Sequence, residues 1–222
     1  MTLDEVKTAT REAGLAWRGV FHPAADDMPQ GEAAGTLVML GFIGGEQWNG
    51  FASSPEYRDG QPHPLDRWSY RVVSALARKL GARSYFPFTA PLMPFIRWAQ
   101  KAEPVAPSEI GMLIHPDYGL WHAWRGALAF RERFALPPAG PRKRPCDDCA
   151  AKPCLSACPV GAFPGGGGFN VQACSSHIRQ TDGADCVSTG CRSRRACPVG
   201  AQYAYPPEQA EFHMRSFRGD SR

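Results

Sequence analysis

Two cysteine-rich stretches in the last third of the chain decide how this sequence is to be interpreted. Residues 146–162 read CDDCAAKPCLSACPVGA, and residues 186–201 read CVSTGCRSRRACPVGA. Both stretches end in the hexapeptide ACPVGA, so the chain contains an internal repeat centred on a cysteine–proline pair. One more cysteine, Cys174, stands alone between them, and together these residues account for all eight cysteines of the chain.

The spacing of the eight thiols is typical of proteins that hold two iron–sulfur clusters. The first stretch has the pattern C-x2-C-x4-C-x3-C-P, and the second has C-x4-C-x5-C-P. In two-cluster bacterial ferredoxins, the cysteine before proline leaves its own loop and ligates the other cluster. This crossing predicts two [4Fe–4S] clusters here. The predicted ligands are Cys146, Cys149, Cys154 and Cys197 for the first cluster, and Cys158, Cys174, Cys186 and Cys191 for the second.

Other interpretations of the same cysteines stay open from the spacing alone. Structural zinc also binds C-x2-C pairs, and disulfides would use the thiols in an oxidising compartment. The widened x4 and x5 spacings would also suit a labile or three-iron cluster at the second site. The cysteine–proline ending of both stretches favours iron–sulfur, because zinc motifs do not usually carry it.

The distribution of charged residues changes at about residue 141, which is also where the cysteine-bearing part of the chain begins. Residues 1–141 carry 14 basic and 14 acidic side chains, whereas residues 142–222 carry 11 and 7, so the net charge of +4 belongs to the cysteine-bearing part. Two [4Fe–4S] clusters with their thiolates would bring about −4. Arg192, Arg194 and Arg195 stand between two predicted ligands, where positive charge would raise a cluster's potential.

Prolines and glycine at residues 136–141 (LPPAGP) predict a linker between an N-terminal domain, residues 1–140, and a C-terminal domain, residues 141–222. The sequence shows no signal peptide and no apolar run of ~20 residues, so we expect a cytoplasmic protein with no membrane partner. Thiols stay reduced in that compartment, which favours metal over disulfides. The C-terminal domain has little apolar surface to bury, and we expect bound metal to stabilise it.

Helix and strand patterns alternate in the N-terminal domain. They predict an α/β or α+β fold with helices packed on a mixed sheet, followed by a small bacterial-ferredoxin-like domain for two clusters. A capping box at Thr2 and Glu5 predicts a first helix, and residues 44–64 are predicted to be one long loop. The other predicted elements are helices at 64–80 and 91–101 and strands at 16–21, 35–42, 83–88, 112–114 and 121–130, the last two joined by a turn.

With these residues in view, the chain resembles epoxyqueuosine reductase and its corrinoid-binding relatives. That family also has a motif ending in Cys-Pro, an isolated cysteine and a final motif ending in Cys-Pro, behind a cobalamin-binding α/β domain. Residues 86–91 (FPFTAP) look like the family's Phe-x-Asp-Ser-Ala-Pro stretch, and residues 111–121 look like its apolar strand, turn and aromatic strand. The resemblance implies two [4Fe–4S] clusters, a cobalamin site and a tRNA substrate.

Two departures from the family pattern argue against the family's own reaction. Phe88 stands where the family has a proton-donating aspartate, and a phenylalanine side chain cannot deliver a proton. The family's Gly-Trp-x-Gly-Lys stretch is replaced by residues 104–109 (PVAPSE). We therefore expect the scaffold and the clusters to be retained, epoxyqueuosine reduction to be absent, and the catalytic residues to stay unassigned.

Several other residues have both a functional and a structural interpretation, and the structural one is favoured for each. His115 and His122 would suit a redox site or structural hydrogen bonds. Residues 142–144 (RKR) would contact RNA or offset cluster charge. Residues 165–168 (GGGG) lack the lysine of a phosphate loop and predict a flexible connection. The tryptophans that would line a corrin or flavin, or fill the core, are Trp98, Trp121 and Trp124, and the aromatic residues expected to cover the clusters are Tyr203, Tyr205, Phe212 and Phe217.

These patterns lead to one main hypothesis and two alternatives. The main hypothesis is an iron–sulfur electron-transfer protein or reductase component, with an external electron donor and an acceptor that is a protein or a small molecule. The first alternative is a corrinoid-dependent reductase with an altered substrate. The second is a non-catalytic metal-binding module with a structural or redox-sensing role.

Overall fold

The computed structural model describes residues 1–138, 140 and 142–220, so two positions of the predicted linker lie outside the described residues. The chain forms two compact units. The first consists of Met1–Pro104 and Ala123–Pro141, and the second of Val105–His122 and Arg142–Arg222. The chain thus crosses between units three times, whereas the sequence predicts one boundary after residue 140.

A four-stranded sheet forms the centre of the first unit. The strands of the protein are β1 Ala16–Phe21, β2 Thr36–Ile43, β3 Arg83–Tyr85, β4 Ala106–Pro107, β5 Leu113–Ile114 and β6 His122–Phe130. The order in the main sheet is β1-β2-β6-β3, and the β1–β2 and β3–β6 pairs are antiparallel. In the second unit, β4 and β5 form a separate antiparallel pair.

Helices cover the sheet of the first unit, which confirms the predicted fold class. The helices are α1 Leu3–Glu12, α2 Trp48–Ala52, α3 Pro55–Arg58, α4 Pro64–Leu80, α5 Phe95–Ala102, α6 Pro153–Ser156, α7 Val171–His177, α8 Ala184–Ser188, α9 Arg192–Arg195 and α10 Pro207–Arg218. The capping box at the start of α1 is present, since the Thr2 side chain accepts from the Glu5 backbone N–H and the Glu5 carboxylate accepts from that of Thr2.

The core of the first unit is centred on β2. Leu37, Val38, Met39 and Leu40 are all fully buried, as a central strand with both faces covered requires. The sequence of helix α4 predicts an apolar stripe from Trp68 to Leu80. Most of this stripe is buried, whereas Val72 and Leu80 are half-buried, and the helix ends at a glycine with left-handed backbone.

Two predicted elements of the first unit are wrong in detail. Residues 44–64 are not one loop, because they contain α2 and α3, and the Ser54 side chain caps α3 by accepting from the Tyr57 N–H at 3.3 Å. Helix α5 begins only at Phe95, since the prolines at 91 and 94 leave the preceding residues outside the helix.

The strands predicted at 112–114 and 121–130 are both present, as β5 and β6. They belong to different sheets, because β5 pairs with β4 whereas β6 joins the main sheet.

The second unit is made mainly of short helices joined by turns. Helix α10 is its one long helix among the described residues, and the sequence analysis missed it. Pro207 opens α10, and Gly219 ends it with left-handed backbone. Among the described residues, no helix has the length and apolar character needed to cross a membrane.

Candidate functional site

Four cysteines drawn from both stretches line one cavity of the second unit. Cys146, Cys149 and Cys154 come from the first stretch, and Cys197 comes from the end of the second. The cavity is small, and Pro145, Pro153 and Val199 complete its wall. Cys146 and Cys197 are buried in an aliphatic cluster that includes Ile114, so the cavity is closed on its inner side.

The other four cysteines line a second small cavity in the same unit. Its thiols are Cys158, Cys174, Cys186 and Cys191. The two cysteines that precede proline are therefore exchanged between the stretches, with Cys158 at the second cavity and Cys197 at the first. The structure brings together the two sets that the sequence predicts, and the binding of iron by these sets stays a prediction.

Short turns position the thiols of the first cavity. Cys146 lies on a single 3-10 turn, Pro145–Asp147, and its carbonyl oxygen accepts from the Cys149 N–H at 3.3 Å. Lys152 then adopts a left-handed backbone with φ of 38°, which redirects the chain into α6 and its Cys154. The turn at Pro145–Asp147 and the helix that begins at Pro153 thus place three thiols of the first cavity within nine residues of sequence.

Three short helices position most thiols of the second cavity. Cys174 lies on α7, Cys186 on α8, and Cys191 immediately before α9. Asp185 of α8 accepts from two nitrogens of the Arg192 guanidinium, each at 2.8 Å, and this bidentate pair joins α8 to α9. The ion pair therefore fixes two thiols relative to each other.

Two glycines allow the turn at residues 115–119 to lie against the chain that follows Cys197. A Cβ atom at Gly119 would lie 1.8 Å from the Val199 carbonyl oxygen, and one at Gly200 would lie 2.3 Å from the Tyr118 carbonyl carbon. Both glycines also have positive φ. No other residue type fits at this approach without moving the Cys197 segment.

The electrostatic neighbours of the thiols separate into the same two sets. Burial, and after it the thiols Cys191, Cys158 and Cys186, raises the pKa of Cys174 to about 11. Burial also raises the pKa of Cys154, with smaller contributions from the three other thiols of its cavity. All eight cysteines are free thiols, so the disulfide interpretation is wrong. For the Cys174 and Cys154 thiols, a bound cation would offset the charge of the thiolate, which is the chemistry of a metal-binding site.

Glu109 organises the chain around the first cavity, and sequence reasoning missed it. Its carboxylate accepts from Arg144 and Lys152, each at 2.9 Å, and from the Gly166 N–H at 3.3 Å. Lys152, followed by Gly166 and Arg144, lowers the pKa of Glu109 to about 2. The carboxylate thereby links three segments that are distant in sequence, and the glycine run at 165–168 is anchored rather than a free connection. The only sequence signal was the departure from the family pattern at residues 104–109.

Two polar side chains in the wall of the second cavity are buried without a hydrogen-bond partner among the described residues. They are His177 through its Nε2 atom and Ser193 through its Oγ atom. Ser193 is fully buried, and His177 is 9% exposed. A buried polar atom without a partner is costly, so these two groups fit a site whose partner is a bound group.

Three of the four aromatic residues that were expected to cover the second unit pack within it, and the fourth is exposed. Tyr205 is buried with Trp121, and the Arg194 guanidinium lies over both rings, at 4.5 Å from the Trp121 centroid and 4.3 Å from that of Tyr205. Phe212 is buried as well, and Tyr203 packs against the same cluster as Tyr205. Phe217 is 44% exposed, so the prediction that it shields the clusters from water is wrong.

The predicted histidines take part in backbone hydrogen bonds of the second unit. His115 Nδ1 accepts from the backbone N–H groups of Asp117 and Tyr118, at 3.0 and 3.3 Å, and its ring stacks on Tyr118. His122 Nε2 lies 3.1 Å from the Leu113 carbonyl oxygen. These contacts favour the structural interpretation of both histidines.

The tryptophans of the first unit and the basic run also have structural partners. Trp98 is fully buried, and Trp124 Nε1 donates to the buried carboxylate of Glu103 at 2.7 Å. In the basic run, Lys143 pairs with Asp148 at 2.6 Å, and Arg144 pairs with Glu109 as described above. Lys143 and Arg144 therefore each have an acidic partner within the second unit, and contact with RNA stays a prediction.

Phe88, where the sequence resemblance would place the family's aspartate, lies among other rings of the first unit. It is half-buried, its ring centroid is 5.4 Å from that of Phe86, and the Arg125 guanidinium lies 5.4 Å from its centroid. This neighbourhood is aromatic and cationic, and Phe88 itself contributes no proton donor.

Comparisons with known proteins identify the fold. No protein-family model and no curated protein matches the sequence. Among solved structures, the epoxyqueuosine reductase of Bacillus subtilis, with its catalytic aspartate loop swung out of the active site, is similar over 94% of this chain and 70% of its own, at 16% identity and a TM-score of 0.53. The epoxyqueuosine reductase of Streptococcus thermophilus covers the same shares, at 14% identity and a TM-score of 0.56.

These likenesses show that the chain has an epoxyqueuosine reductase-like fold, as the sequence resemblance predicts. A selenomethionine-labelled epoxyqueuosine reductase agrees, with 94% of this chain and 68% of that chain covered at 15% identity and a TM-score of 0.50. Folds persist at such identities while active sites change, so the likeness establishes the scaffold, and the function has to be argued from the site.

Proposed function

We propose that this protein is an iron–sulfur electron-transfer protein that holds two [4Fe–4S] clusters, one in each four-thiol cavity. The observation that carries the proposal is the division of eight free thiols into two sets of four, each set with one member from the other stretch. A [4Fe–4S] cluster takes four cysteine thiolates, and the exchange of the cysteine before proline is the pattern of two-cluster ferredoxins. The clusters would pass single electrons between an external donor and an acceptor.

A cluster suits these cavities better than a zinc ion does. Zinc–sulfur bonds are about 2.3 Å long, so four thiolates around zinc converge on one point. Among the described residues, no group of three or more histidine, cysteine, aspartate or glutamate side chains converges on a single-ion site. The four thiols of each set instead stand around a small cavity. In a [4Fe–4S] cluster each thiolate binds its own iron, so four thiols around a cavity suit a cluster without meeting at one point.

The charge of the cysteine-bearing segment also supports two clusters. Residues 142–222 carry the whole net charge of +4, and two clusters with their thiolates would bring about −4. Lys152 lies in the wall of the first cavity, and Arg192 lies in the wall of the second. Positive charge at these places would stabilise the bound thiolates and favour reduction of the clusters. Free thiols in this number suit a reducing compartment such as the cytoplasm.

A corrinoid-dependent reductase with an altered substrate is the second candidate, because the scaffold is that of an epoxyqueuosine reductase. Phe88 argues against the family's own proton delivery, so such an enzyme would need another proton source. Incubation with cobalamin tests this candidate directly. A shift of the corrin absorption bands together with co-elution would support it, and a protein that elutes without corrin would leave electron transfer as the function.

Metal analysis of anaerobically purified protein tests the main proposal. We expect a brown protein with about eight irons and eight sulfides per chain, as two clusters of four require. The variant Ser156→Ala should also retain all the iron. Ser156 is exposed and shares α6 with Cys154, but it is not one of the eight thiols. A colourless protein with two zinc ions would contradict the proposal and support a structural module.

A further inference from the structure

The wall of the second cavity contains more hydrogen-bonding capacity than its protein partners use. Ser193 Oγ and His177 Nε2 are both buried and have no hydrogen-bond partner among the described residues. Leaving a buried polar group unsatisfied costs about 1–3 kcal/mol. Two such groups in the wall of one small cavity indicate that the acceptor belongs to what the cavity holds.

The two donors are placed by the same short helices that place the thiols. His177 follows Cys174 by three residues on α7, a spacing that puts both side chains on one face of a helix. Ser193 lies on α9, two residues after Cys191. Both side chains therefore line the same cavity as these thiols.

The first cavity differs from the second in this respect. The charged side chains in its wall, Glu109 and Lys152, hydrogen-bond to each other at 2.9 Å. Its carboxylate and ammonium groups are therefore already satisfied by protein partners. The unused donors belong to the second site, so their effect on a bound group should be selective for that site.

We propose that His177 Nε2–H and Ser193 Oγ–H donate hydrogen bonds to sulfur atoms of the cluster in the second cavity and so raise its reduction potential. This inference rests on the proposed function. One-electron reduction adds a negative charge that is shared by the cluster sulfurs, so donors to those sulfurs stabilise the reduced form more than the oxidised form. For His177, the neutral ring must carry its proton on Nε2.

A purely structural role of Ser193 makes a different prediction. If its hydroxyl only fills space, Ser193→Ala removes an unsatisfied polar group and leaves both potentials unchanged. If it donates to the cluster, the same substitution lowers one potential. The readout that separates the two roles is therefore a potential and not a stability.

The test is an anaerobic redox titration with dithionite of the full chain, followed by electron paramagnetic resonance, after iron and sulfide have been measured. We expect two one-electron steps in the wild type. Ser193→Ala and His177→Leu should each move the same single step to lower potential and leave the other in place. His177→Gln, which keeps an N–H donor, should recover part of the shift. Ser188→Ala, at an exposed serine of α8, is the matched control and should move neither step.

A second readout keeps the test decisive if His177→Leu loses a cluster. In Ser193→Ala, the hyperfine coupling of an exchangeable proton to the reduced second cluster should disappear. Full iron and sulfide with both steps unmoved in Ser193→Ala and His177→Leu would overturn the inference and leave the proposed function intact. A wild-type protein without iron and sulfide would overturn both.

Discussion

At the scale of single residues, the first cavity depends on an approach that only glycine permits. Gly119 has φ of +57°, and a Cβ atom there would lie 1.8 Å from the Val199 carbonyl oxygen, two residues after Cys197. We expect Gly119→Ala to displace Cys197 and to reduce the iron content from about eight toward about four per chain. Iron and sulfide analysis checks this. Gly60→Ala is the matched control, because Gly60 also has positive φ but open space around it, and it should retain the iron. Full iron in Gly119→Ala contradicts the prediction.

The exchange of the two cysteines that precede proline is also a matter of single residues. Cys197 lines the first cavity, whereas Cys158 lines the second. We expect Cys197→Ala to impair the first cluster more than the second, and Cys158→Ala to do the reverse, because each substitution removes one ligand from one set. Electron paramagnetic resonance of the two reduced variants should therefore show different surviving signals. Identical spectra, or equal loss at both sites, would argue against the crossed assignment.

At the scale of elements, a buried ion pair ties β1 to the end of α5 in the first unit. Arg18 Nη2 of β1 donates to the Glu103 carboxylate at 2.8 Å, and Trp124 Nε1 of β6 donates to the same oxygen. Arg18 is fully buried, and burial raises the pKa of Glu103 despite this partner. Removing one member leaves the other charge buried and unpaired, which costs about 3–5 kcal/mol.

We therefore expect Glu103→Gln to lower the free energy of unfolding of the first unit by roughly 3 kcal/mol. Urea unfolding followed by far-ultraviolet circular dichroism measures the change. Lys79→Ala removes an ion pair with Glu12 whose two side chains are each 62% exposed, and it should cost well under about 1 kcal/mol. Equal losses in the two variants would contradict the buried-pair argument.

At the scale of the whole molecule, the two units differ in what holds them together. The first unit has a buried central strand and a long amphipathic helix, which form an apolar core. Two core clusters of the second unit are small and contain cysteines themselves, Cys146 in one and Cys186 in the other. Because these thiols are the proposed ligands, metal binding and folding of the second unit should be coupled.

Removal of iron should accordingly affect the two units differently. After oxidation and chelation, we expect trypsin to cut at many sites within residues 142–220, while most of residues 1–104 stays protected. Limited proteolysis with mass spectrometry of metal-bound and metal-free protein measures this. A metal-free second unit that resists trypsin as well as the metal-bound one would show that its packing suffices without clusters.

Local patterns explain which elements were predictable from the sequence. The capping box at Thr2 and Glu5, the stripe of α4 and the apolar run of β2 are visible in short windows, and all three elements appear close to their predicted bounds. The pairing of β4 with β5 was not predictable, because hydrogen bonds between strands are set by long-range contacts. The sequence analysis missed helix α10 because few of its residues are apolar. Its buried face can be identified only from its packing in the structure.

The candidate site shows the same division between local and long-range information. Cysteine spacing alone predicted the two sets of four, since a Cys-x2-Cys turn and a terminal Cys-Pro restrict where a thiol can reach. The roles of three other residues depend on the tertiary structure. Glu109 lies 35 residues or more along the chain from the side chains that it binds. His177 and Ser193 lack hydrogen-bond partners among the described residues because the fold buries them. The chain by itself determined which thiols share a cavity, because that depends largely on spacing within short loops. Only the tertiary structure decided what surrounds them, because burial and charge pairing arise when distant segments meet.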